Sequence, residues 1–170
     1  MSEQDRNRSR APHAKTAEEA YASLARLCAR AEKSSGDALR LMRRWEVPEP
    51  DRERVLRRLI SEKFIDDARY AGAYVREKMR VGGWGAYKIA NVLSVKGISR
   101  DIIAASLEQY GADDRRDRLG EALLKKCRSV KAKDRYDLKN KLMRYGLGLG
   151  HGYEDVRDAV DRILSGLPED

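Results

Sequence analysis

Asp66 and Asp67 stand side by side just ahead of the amphipathic run Ala71–Met79. Adjacent carboxylates can serve as a general acid and base, as a cradle for a metal ion, or as the opening of a helix. The surrounding residues favour the last. Ile65 and Tyr70 flank Asp66 at the spacing of a hydrophobic staple, and a carboxylate there accepts orphan backbone N–H groups and complements the helix dipole. Asp113–Asp114 stands at a similar junction further on, so the pair reads as punctuation between repeated units.

Other reactive residue types are sparse. His13 lies in a polar N-terminal stretch and His151 in a glycine-rich run, neither with a second ligand at helical spacing, so no zinc site is expected. Cys28 and Cys127 lack CxxC spacing and sit in helical patterns, as small hydrophobes of a reducing compartment do. In "YGLGLGHGYED" (145–155) a dinucleotide fingerprint begun at Gly146 or Gly148 would need its third glycine at His151 or Tyr153, and no strand precedes it. That run is expected to be a flexible inter-helix loop. Serines stand in no nucleophile motif beside a histidine, and no Walker sequence occurs. The expectation is a protein that is not an enzyme and needs no cofactor.

The charge carries more information. The 170 residues have a formal net charge of +8, and the stretch 115–144 alone accounts for it with twelve Lys or Arg against four acids. Such a field suits a polyanion, although a solvated helix face poor in acids gives the same count. Candidate contacts in it are Lys125, Lys126, Arg128, Lys131, Lys133, Arg135, Lys139, Lys141 and Arg144, joined by Lys88, Lys96 and Arg100. The last three border "IANVLSVKGISRDIIAASL" (89–107), a helix, a glycine turn and a second helix. The second helix opens on apolar and small residues, which excludes base-specific readout and leaves phosphate contact open. Most tyrosines fall on apolar stripes and are assigned to the core. Trp84, between Gly83 and Gly85, is either an exposed contact or a plug between units.

These residues are positioned by helices throughout. Residues 1–15 are polar, with Arg6, Arg8 and Arg10, and read as a disordered arm. Thr16–Glu19 is a capping box, Ser34 or Ser35 caps a second helix, and Ser99 caps another, with Ile98 and Ile103 as a staple. Gly97 and Gly146 are placed as C-terminal glycine caps. Aligning Leu93-x-x-x-Gly97 with Leu142-x-x-x-Gly146 gives a period of 49 residues, with Val55, Ile103 and Val156 equivalent. The expected fold is all-α: three tandem three-helix repeats over 16–65, 66–112 and 113–166, stacked into an elongated, curved body. No apolar run reaches the about 20 residues that span a bilayer, and no secretion signal opens the chain, so a cytoplasmic protein without membrane contact is expected.

The stretch Val55–Leu107 resembles the RecX family of recombinase regulators, through "FIDDARYAGAYV", "GAYKIANVLSVKGIS" and the Ile102–Ile103 helix; "KLMRYGLGLGHGYEDVRDAV" resembles its last repeat. That resemblance implies a monomer without catalytic residues, acting in DNA repair, recombination and the SOS response. It would bind RecA and the RecA–single-stranded-DNA filament and damp ATP hydrolysis, strand exchange and coprotease function. The alternative is a stand-alone, sequence-neutral DNA-binding helical protein. The sequence departs from the family at Trp45-Glu46-Val47, where later repeats have glycine and an apolar residue, and at Gly150-His151-Gly152-Tyr153, where a basic residue is usual.

Overall fold

Helix starts and stops are written into the chain by capping chemistry, and nine α-helices result among the described residues, 14–168. They are α1 (Ala17–Arg30), α2 (Ser35–Arg44), α3 (Glu49–Ser61), α4 (Asp67–Arg80), α5 (Ala86–Val95), α6 (Arg100–Glu108), α7 (Ala112–Ser129), α8 (Arg135–Gly148) and α9 (Tyr153–Ser165) in this computed structural model. No strand occurs among those residues, and none of their helices is long and apolar enough to cross a membrane. Of the arm read over 1–15, residues 1–13, including His13, lie outside the described residues. Lys15 is tied down: its N–H donates to the Trp45 carbonyl at 2.9 Å and its ammonium lies 3.8 Å from the Trp45 ring centre.

The caps follow the sequence. The Thr16 hydroxyl accepts from Glu19 N–H while Glu19 accepts from Thr16 N–H, and Ser34, not Ser35, makes the same reciprocal pair with Asp37. Ser99 Oγ accepts from Ile102 N–H, with Ile98 and Ile103 buried together. The Asp66–Asp67 junction differs from expectation. Asp67 Oδ1 accepts from Ser35 N–H at 2.8 Å, so this carboxylate serves the start of α2. Ile65 is buried in the first core, and Tyr70 stacks on Tyr74 beside the second. Asp113 and Asp114 lie inside the first turn of α7, not ahead of it.

Helices group by threes around three apolar cores. Leu24, Met42, Val47, Leu59 and Ile65 close α1–α3. Val75, Met79, Ile89, Leu93, Ile98 and Ile103 close α4–α6. Leu119, Leu123, Leu142, Val156, Val160 and Leu164 close α7–α9. Cys28 and Cys127 are half-buried at the edges of the first and third cores. The chain forms two compact units, one ending at Asp67 and the other, holding α5–α9 and nearly all of α4, beginning at Ala68.

The same turn ends the second helix of each triplet, and it corrects the register. Glu46, Gly97 and Gly150 take positive φ (55°, 81° and 87°). The next residue's N–H reaches back five positions: Val47 to Met42, Ile98 to Leu93, His151 to Gly146. This is the Schellman termination. Gly97 is therefore equivalent to Gly150, and Gly146 is no cap. It lies within α8, where a Cβ would come 2.7 Å from Val156 Cγ1, so glycine there lets α9 approach. Counting from the turns also moves Val55 one helical turn from Ile103 and Val156; Arg52 takes that place and donates to the Val47 carbonyl at 2.6 Å.

Candidate polyanion-binding surface

The glycine-rich run 145–155 is not a flexible loop. Residues 145–148 end α8, 153–155 open α9, and 149–152 form a tight turn bound to the turn before α5 within the second unit. Gly85 N–H donates to Leu149 O at 2.8 Å, Tyr87 N–H to Gly150 O at 3.1 Å, and His151 Nε2 contacts Gly83 O at 2.8 Å. Since the Gly83 carbonyl can only accept, Nε2 carries the proton. Desolvation lowers the His151 pKa, outweighing the Gly83 hydrogen bond and the nearby Asp155 carboxylate, and the imidazole is neutral. A Cβ on Gly85 would overlap the Gly150 carbonyl, and one on Gly150 the Lys88 Cβ and backbone N. This junction therefore requires both glycines.

Three candidate cations border it or the turn after α5. Lys88 sits half-buried with its ammonium 4.2 Å from the Trp84 ring centre and 3.4 Å from Gly148 O. Lys96 lies 5.7 Å from the Tyr70 ring. Arg100 opens α6 at an exposed position. Trp84 is half-buried against the second core, with the Lys78 ammonium 5.5 Å from its ring centre, so it is not a freely exposed contact.

The nine cations of 125–144 divide by their partners. Lys139 pairs with Asp161 at 2.8 Å and Lys141 with Asp137 at 2.6 Å. The hydrogen bond from the Lys141 ammonium, then that from the Lys133 backbone N–H, hold the Asp137 carboxyl below its usual pKa. Arg135 donates to the Leu164 carbonyl and Arg144 to Asn140 O, while Lys126 lies 5.3 Å from the Tyr145 ring. Lys125, Arg128, Lys131 and Lys133 are exposed, and their charged groups form no salt bridge among the described residues, although the Lys133 backbone N–H donates to Asp137 Oδ2. They cluster at the C-terminal end of α7 and the linker to α8, where the helix dipole also favours cations.

Sequence reasoning missed the exposed aromatics. Tyr87, Tyr136 and Tyr153 are 72%, 76% and 60% exposed. Tyr87 stands two residues before buried Ile89, about 200° round the helix, and that spacing was the available signal. Tyr153 shares a shallow depression with Lys139, Arg144 and Arg157, which sets a flat π face among cations, the combination that bases and phosphates use.

The family model for the second three-helix domain of RecX matches residues 66–107. The regulatory protein RecX of Clostridium acetobutylicum is 33% identical over 128 residues, which take in 73% of this chain and 59% of that protein. The regulatory protein RecX of Clostridium tetani is 34% identical over 114 residues, 66% of this chain and 52% of that protein. This chain spans about half the length of the curated relatives it matches. The crystal structure of RecX from Lactobacillus salivarius superimposes with a TM-score of 0.78 at 20% identity, over 89% of this chain and 97% of that one. A second crystal structure of a regulatory protein RecX gives 0.77 at 21% identity, over 86% of this chain and 71% of that one. At those identities the likeness is one of fold.

Proposed function

The chain belongs to the RecX family, and on that premise we propose that it binds RecA–single-stranded-DNA filaments and damps their ATP hydrolysis, strand exchange and coprotease activity. The observation carrying the reading is the set Lys125, Arg128, Lys131 and Lys133, whose charged groups are exposed and form no salt bridge among the described residues. Such a set can neutralise phosphates or an acidic protein surface without first breaking an ion pair. Lys139 and Lys141 are already paired and contribute less. Arg144 beside exposed Tyr153 offers a second place where a strand could lie. Inhibition on this reading is occupation: the protein shifts filament assembly or turnover and performs no chemistry.

The test is RecA ATPase on single-stranded DNA with substoichiometric protein added. A fall in rate and in filament length supports the reading; an unchanged rate and length count against it. Affinities for naked single-stranded DNA, duplex DNA and RecA-coated DNA are measured beside it. Preference for the coated strand is expected, and equal affinity for all three would favour the stand-alone DNA-binding alternative.

A further inference from the structure

The two outer helices of the last triplet, α7 and α9, leave a groove about 690 Å³ in volume along their outer face. Its apolar surface comes from Leu119, Leu124, Cys127, Ile163 and Leu167. Leu124 and Leu167 are 44% and 36% exposed, although leucine on a solvated face ordinarily contributes nothing there. Leu124 is adjacent to the core residue Leu123, so α7 carries apolar side chains on more than its core stripe.

The rim is charged and unbalanced. Arg116 and Arg128 of α7 line it, facing α9 with its Asp155, Asp158 and Arg162. Asp158 is already held by Arg157 at 3.0 Å. Arg128 and Arg162 have no carboxylate partner among the described residues, and Asp113 lies 3.9 Å from Arg116. The groove therefore joins an apolar floor to a net positive rim whose guanidiniums can take carboxylates in bidentate pairs. Two packed helices present ridges and a seam that accept a third helix.

We propose that the α7–α9 groove is a docking site for an amphipathic helix of a partner protein, with leucine-type anchors on one face and acidic residues along its flanks. The inference goes beyond filament binding and is tested without RecA or DNA. Three fluorescein-labelled helical peptides of equal length serve as probes: a leucine stripe at i, i+3, i+4, i+7 flanked by Glu, the same stripe flanked by Lys, and the Glu flanks with Ala replacing Leu. Fluorescence anisotropy should give the first a Kd below about 50 μM, with the other two at least tenfold weaker. Leu124→Glu, at an exposed position, and the double variant Arg128→Glu/Arg162→Glu should each weaken the first peptide about tenfold while the far-ultraviolet dichroism stays unchanged. Bound peptide should slow alkylation of Cys127, which lines the groove, and not of Cys28, which packs on the first core. Equal binding of the Glu- and Lys-flanked peptides, or unprotected Cys127, would overturn the proposal.

Discussion

At the scale of single residues, the three equivalent turns amount to an experiment already set up in the chain. Glycine takes the left-handed position in two of them and Glu46 in the first. A side chain there strains the backbone by about 1 kcal/mol. Glu46→Gly should raise stability by up to about 1 kcal/mol, net of the greater freedom of glycine in the unfolded chain, measured as a shift in the urea midpoint. Gly150→Ala should do the opposite and do it harder. Its Cβ would strike Lys88 in addition to adopting the same φ, so a loss of more than about 2 kcal/mol is expected. His151 adds a pH dependence. Its folded-state pKa is depressed by burial below the unfolded value of about 6.5. Below that pH the unfolded chain binds the extra proton, so the stabilisation is complete above about pH 6.5 and declines as pH falls. Denaturation midpoints measured at pH 7.5 and 5.5 should separate for the native chain and converge for His151→Gln.

At the scale of elements, α7 and its linker to α8 bear the functional argument. Reversing Lys125, Arg128, Lys131 and Lys133 together should weaken filament binding by tenfold or more, and leave helicity intact because none of the four contributes to a core. The same reversal at Lys139 and Lys141 removes charges that are already paired, and a smaller effect is expected. Unchanged binding in the first set would remove α7 from the contact surface. How much of this could be read beforehand follows from the range of the interactions. Helix starts were legible because a cap is settled within four residues, as at Thr16, Ser34 and Ser99. The end of α8 was not, because Gly146 imitates a cap and its real reason is Val156 on the next helix. Charge density over 115–144 was legible as composition. Which of its cations are unpaired was not, since the Lys139 partner lies 22 residues away.

At the scale of the whole molecule, three cores are distributed over two compact units, and that difference has a thermodynamic consequence. A three-helix triplet of about fifty residues buries little by itself and gains stability from its neighbour. The second and third triplets share the hydrogen bonds Gly85–Leu149, Tyr87–Gly150 and His151–Gly83, and of these residues all but Tyr87 are buried or half-buried. Opening either triplet strands those donors and acceptors, at about 1–3 kcal/mol for each one left buried. The two should therefore exchange and unfold as one cooperative body. Native-state hydrogen exchange provides the measurement. Amides of α5, α8 and α9 should show a common opening free energy, and Gly150→Ala should lower it for all three helices by the same amount. Amides of α1–α3 should keep theirs in that variant, because the three hydrogen bonds of the junction are all made within the second unit. Loss confined to α8 and α9 would mean that the repeats are energetically separate and that the turn at Gly150 serves its own triplet alone.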